Sequence, residues 1–408
     1  MADTAFSKLS RRGFLLSAAG AATLPLMPQL SLAATAGDNR FVTIILRGAM
    51  DGLALVQPQN DPALKCLRPD LWLSAEDGLL DLDASFGLHP GAAELMPLWQ
   101  ARELCFVHAV ATPYRGGRNH FEGQDVLETG SIEGRALRTG WLNRALSLVP
   151  RSSSRKALDI TAAMELVLTG PSDADVFAPS SDFAMAPDEL QFLQRLYGED
   201  AGFETALAGA VTDGAASGSL YDDAQRRSGI VETARLAGSM LKADYRVASF
   251  SINGWDTHAD QKTQFPKVAG DLAAALSSLK ESMGEAWANT VVLAATEFGR
   301  SVRQNEQGGT EHGTASVAVL AGGALSRPAG PGTGTAADED AGGLGGRVLG
   351  RWPGLADAAL ADGRDLAATG DLRDIAAALL HRQFDITPAN LTTKVFPGLS
   401  FEGAAAYL

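Results

Sequence analysis

Two cysteines in 408 residues are too few for a disulfide framework or a zinc site built of thiolates. A single bridge between Cys66 and Cys105 is the most they can form, and Cys105, inside the run ELCFVHAV, reads as a buried strand residue. Basic residues are also scarce: 34 Lys and Arg stand against 48 Asp and Glu, a formal charge of -14. That balance excludes nucleic acid and anionic lipid as main partners, because neutralising phosphate needs clustered Lys and Arg. An anionic substrate would need a local positive centre. Beyond the N-terminal region no run of about 20 apolar residues occurs, so no membrane span is expected there. No repeat of fixed period is present. Histidine is rare, with six residues, so the positions of those six carry information.

The N-terminus carries SRRGFLL (10–16), the apolar stretch GFLLSAAGAATLPLMPQL, and the small residues ATA (34–36). Paired arginines before an apolar stretch and a small-residue cleavage site predict a twin-arginine export signal over 1–36, cut after Ala36. A membrane anchor is the alternative reading. Pro25, Pro28 and the weak apolarity of this alanine-rich stretch count against it. The expected location is periplasmic or secreted. Loss of 1–36 removes three basic residues and one acid, so the remainder is more acidic still.

Residues 37–408 read as a single α/β domain. Strands are expected in the run 41–52, which ends at glycine and aspartate, at 104–110, within 158–170, and at 245–252, 290–297 and 315–323. Helices are expected at 89–103, 121–130, 139–149, 265–285 and 371–384. A helical insertion spans about 187–241, and a flexible Gly/Ala loop about 322–346. Continuously apolar strands separated by helices imply a mostly parallel sheet covered by helices on both faces. Ligands of such sheets bind beyond the carboxyl ends of the strands. The polar residues directly after each strand are therefore the informative ones.

Those positions hold Asp51 in RGAMDGL, Arg115, Arg118 and His120 in TPYRGGRNHF, Asp256 and His258 in NGWDTHADQ, and Glu297 and Arg300 in TEFGR. His312 lies just before the run ASVAVLAGG. Each has an ordinary explanation. Asp51 before Gly52 makes a turn, Asp256-Thr-His258 a local hydrogen bond or cap, and Glu297 with Arg300 a salt bridge. His120 can be a satisfied, partly buried histidine. The repeated placement after strands favours a shared site instead, since mixed carboxylates and imidazoles suit zinc or a similar divalent ion. His89, His108 and His381 lack that placement and read as structural.

The paired-arginine start, LRGAMDGL, RNHFEGQDVLETG, GWDTHADQ, TEFGRSVRQN, EHGT and DLRDIAAALLHRQF resemble the exported bacterial family called domain of unknown function 1501. The resemblance runs from the signal to VFPG (395–398). More distantly, the order of elements is similar to the alkaline phosphatase and sulfatase superfamily, which implies an alkaline phosphatase-like fold. There the first strand ends in a metal-binding aspartate, where Asp51 stands, and Asp256 and His258 match a later Asp and His. TEFGR and TEHGT match a strand ending in Asp-His-Gly and a following histidine. Two departures stand out. Asn119 and His120 occupy the place of the Ser, Thr or Cys nucleophile, and Glu297-Phe298 replaces Asp-His.

The expectation is a metal-dependent hydrolase acting on phosphate or sulfate esters. Asp51, Asp256, His258, Glu297 and His312 would hold one divalent ion, or two. Arg118 or Arg300 would meet the small anionic ester, and His120 would serve as general base or nucleophile. The rival is a binding or assembly protein on the same fold, with a protein partner and no turnover. A redox enzyme with an organic cofactor is disfavoured, because GGLGGRVLG (342–350) does not follow a strand.

Overall fold

The apolar runs form the centre of a nine-stranded sheet among the residues that the computed structural model describes: 38–133, 137–149, 155–161, 164–177, 229–327 and 343–408. The chain divides into two units, 1–37 and 38–408. The expected export signal, residues 187–228 of the expected insertion and residues 328–342 of the expected loop lie outside the described residues. Residues 229–241 of that insertion belong to a helix of the main unit.

In chain order the strands are β1 (Arg40–Arg47), β2 (Leu104–Ala111), β3 (Arg155–Ile160), β4 (Asp175–Phe177), β5 (Tyr245–Asn253), β6 (Thr290–Ala295), β7 (Ser316–Ala321), β8 (Arg347–Leu349) and β9 (Gly370–Asp371). Their order across the sheet is β8-β2-β7-β6-β1-β5-β3-β4, with β9 also on β2. β1 lies at the centre, paired in parallel with β5 (Phe41 opposite Val247) and with β6 (Phe41 opposite Val291). β7 alone among these strands is antiparallel to its neighbours, β6 and β2.

Period-2 alternation divides each run between the two faces. On one face Val42, Ile44, Leu46, Phe250 and Val292 pack under α2 (Gly229–Ala243) and α3 (Gln261–Met283). On the other, Phe41, Ile45, Val247 and Leu293 pack under α4 (Leu372–Phe384) and the short helix Trp141–Leu146. This double covering explains why the central strands are mostly apolar. Residues 166–168, expected as strand, form a 3-10 turn whose Val167 and Leu168 join the second core. The expected helix 89–103 is split into a 3-10 turn, Pro90–Leu95, and the short helix Met96–Gln100. No helix of the described residues is long and apolar enough to cross a membrane. Cys66 is exposed, Cys105 is buried, and both are free thiols.

Candidate functional site

The C-terminal ends of the parallel strands share one rim of the sheet. Because β7 runs the other way, its starting end reaches that same rim, and His312 arrives there on the hairpin Arg300–Gln304/Thr310–His312. The loop after β2 leads to α1 (His120–Thr129), whose cap Asn119 accepts the Phe121 and Glu122 amides and places His120 at the first helical position. The loop after β5 brings Asp256 and His258. Gly48, at φ +115°, lets the end of β1 press on this loop, since a Cβ there would lie 2.7 Å from the Asp256 nitrogen. Gly309 does the same from the hairpin: a Cβ would stand 2.4 Å from the His258 carbonyl. The glycine-rich loop thus serves close packing of protein backbone.

Three imidazole nitrogens converge. His312 Nε2 lies 2.9 Å from His120 Nε2 and 2.9 Å from His258 Nε2. The Asp256 carboxylate completes the group, 3.0 Å from His258 Nε2, 3.2 Å from His312 Nε2 and 3.3 Å from His120 Nε2. Ligating atoms of His120, Asp256 and His312 all fall within 4.8 Å of one another.

The outward ring nitrogens fix the tautomers. His120 Nδ1 faces Glu297 Oε1 at 2.7 Å, His312 Nδ1 faces the Arg118 carbonyl at 2.9 Å, and His258 Nδ1 faces Glu311 Oε2 at 3.3 Å. All three partners are acceptors, which favours hydrogen on each Nδ1 and leaves each Nε2 turned toward the group. Three imidazole nitrogens and a carboxylate this close repel unless protons or a cation lie among them. Outer acceptors that orient metal-binding imidazoles in this way are the usual second layer of such a centre.

Burial, hydrogen bonds and nearby charges shift these groups in different directions. Burial pushes the Asp256 carboxyl up, but the neighbouring His312 ring and the Arg300 guanidinium outweigh it and hold it well below the usual carboxylate range. Burial likewise pushes Glu297 up, and its bonds from His120, Thr296 and the Gly48 amide bring it below the ordinary value. Burial and the Arg300 charge lower His258, which disfavours protonation. The hydrogen bond to Glu297 raises His120. Phe298 packs on His120 and His312 with ring centroids 5.2 and 5.1 Å away. The site opens on the side of Asp256 and His258, whose side chains are 42% and 40% exposed.

Of the expected cation ligands, Asp256, His258 and His312 meet. Asp51 does not join them. Its Oδ1 caps the helix Gly52–Leu55, and its Oδ2 takes Arg68 at 2.7 Å and Gln261 at 2.6 Å, all out of solvent. Glu297 stands one layer back, fully buried behind His120, which takes the inner position instead. The place expected for Glu297 is thus occupied by His120. Neither arginine expected to meet the substrate anion is free. Arg300 is buried, spent on Asp256 and on both oxygens of Thr310, and Arg118 pairs with Asp365 at 2.8 Å. Arg68 and Asp365 were not foreseen, because neither stands in a motif or directly after an apolar run. His89 and His108 accept the Gly91 and Ala109 amides, and His381 faces the Ile386 carbonyl, which are structural roles.

The family model described as "Protein of unknown function (DUF1501)" matches residues 110–340, more than half of the chain. No curated protein matches. Among solved structures, one titled "Crystal structure of Ps i-CgsB in complex with k-i-k-neocarrahexaose" is similar with a TM-score of 0.39 and 10% identity, covering 90% of this chain and 75% of that one.

Proposed function

The chain belongs to the DUF1501 family, and we propose that it holds one divalent cation, zinc or a similar ion, through Nε2 of His120, His258 and His312 with the Asp256 carboxylate. The observation that carries this reading is that His312 Nε2 lies 2.9 Å from both His120 Nε2 and His258 Nε2, with an acceptor behind each ring. Imidazole and carboxylate donors suit zinc and its neighbours. The buried Arg300 guanidinium on Asp256 already supplies a second positive charge there, which favours one ion over two.

The reaction proposed is hydrolysis of a phosphate or sulfate ester at the open side of the site. When bound, the ion supplies a Lewis acid and lowers the pKa of a water. Glu297 holds the His120 ring, the Arg118 carbonyl holds that of His312, and Glu311 holds that of His258. None of the residues at the start of α1, Asn119 to Glu122, carries a hydroxyl or thiol, so the attacking group in this proposal is water. Export through the paired-arginine signal and an alkaline phosphatase-like arrangement belong to the same reading. They are supported by the N-terminal sequence and by the order of site residues along the chain.

The two arginines consumed inside the fold favour a second reading, a cation-dependent binding or assembly protein without turnover. Metal analysis of the purified protein with a screen of phosphate and sulfate esters separates the two. Stoichiometric metal that His258→Ala/His312→Ala loses supports the centre, and full occupancy in that variant refutes it. Metal with turnover favours the hydrolase; metal without turnover favours the binding protein.

A further inference from the structure

One fully buried acid, Asp365, belongs to no expected site. Its Oδ2 accepts from Arg118 Nη2 at 2.8 Å and from Thr314 Oγ1 at 3.0 Å. Its own backbone is fixed by reciprocal 2.9 Å hydrogen bonds with Ala361, and its neighbours hold the hairpin and β7 through Arg364 O to the Val302 amide and Leu366 O to the Ala315 amide. One carboxylate oxygen therefore ties together two segments that meet at His312. Thr314 lies two residues after that histidine. Arg118 supplies, through its carbonyl, the acceptor for His312 Nδ1.

Arg118 is held at φ +55°, a left-handed conformation that a residue with a Cβ adopts only when its surroundings impose it. The direction of its carbonyl depends on that conformation. The tether from its guanidinium to Asp365 supplies the constraint. We propose that Asp365 is the positioning residue of the cation centre: by fixing Arg118 and Thr314 together it keeps the carbonyl on His312 Nδ1 and so keeps the His312 Nε2 lone pair turned inward. This rests on the cation reading of the site.

The test uses the full chain carrying 15N-labelled histidine. In metal-free wild type, the His312 resonances, assigned by their loss in His312→Gln, are expected to report a single tautomer with hydrogen on Nδ1. Asp365→Asn and, independently, Arg118→Met are expected to mix the two tautomers and to weaken binding of Co²⁺ alone about 10- to 100-fold. The double variant is expected to lose no more than the stronger single, because both changes cut one tether. Arg118→Met keeps the aliphatic stem and serves if Asp365→Asn fails to fold. A purely structural role would lower the urea midpoint while leaving the tautomer and the Co²⁺ affinity unmoved, and that result overturns the proposal. If wild type binds no Co²⁺, the cation reading fails, while the tautomer measurement still decides whether Asp365 positions His312.

Discussion

Asp256→Ala separates two tasks that the structure gives to one carboxylate, pairing with Arg300 and joining the three imidazoles. The Arg300 side chain has no exposure, whereas that of Asp256 is 42% exposed. Removing one partner of a buried pair costs about 3–5 kcal/mol. Water reaches the Asp256 side, and Arg300 keeps both oxygens of Thr310. The lower end is therefore expected, about 3 kcal/mol, or roughly a hundredfold in the folding constant. In Asp256→Ala/Arg300→Met the stranded charge is gone, and metal-free stability should recover in part, the remaining deficit of about 1 kcal/mol or more coming from the Thr310 oxygens that lose their donor. Zinc binding should not return in either variant. The loss should exceed the about 10- to 100-fold that an outer partner costs. The assay is urea unfolding of the metal-free protein beside a zinc titration. A double variant as unstable as the single refutes the stranded-charge argument, and one that binds zinc like wild type removes Asp256 from the centre.

Three further outcomes follow from other contacts. Glu297→Gln should weaken zinc about 10- to 100-fold in a chelator competition, because the neutral amide no longer holds His120 Nδ1 as a carboxylate does at 2.7 Å; unchanged affinity would refute its role behind His120. Asp51→Ala strands the buried Arg68, so unfolding in urea should show a loss of about 3–5 kcal/mol, while the folded fraction keeps its full zinc content. Burial lowers His89 and His108 from 6.5 to about 4, and each ring accepts a backbone amide that a proton would displace. The unfolded chain takes up protons near pH 6.5 and the folded one only near 4, so stability should fall as pH drops through that window. Urea midpoints measured across that range should show a shallower fall in His108→Gln, and an equal slope would exclude His108.

Much of the fold was legible because both sheet faces are covered, which makes the central strands mostly apolar. Asp256, His258 and His312 were legible because they flank strands at one rim. Strand direction was not: ASVAVLA reads the same either way, and the reversal of β7 appears only when β6 and β2 are seen on either side of it. The misreading of Asp51 has a similar cause, since its partners are 17 and 210 residues away in the chain. Which of Glu297 and His120 reaches the centre depends on how far β6 and α1 stand from it, a distance that local pattern does not encode. Asp365, in ADGRDLAA, carries no signal at all, because its meaning comes from the two segments it joins.

The reversed strand also governs how this protein can change. The chain leaves the sheet after β6 and re-enters at β7 over the same edge, so the excursion between them closes on itself like a clasp. Its tip, Asn305 to Gly308, is fastened to the loop after β5, with the Asp260 and Gln261 amides on the Gln307 and Gly308 carbonyls and Asn305 Nδ2 on the His258 carbonyl. Changes at that turn would therefore be felt first at His258, while the strand registers stay where they are.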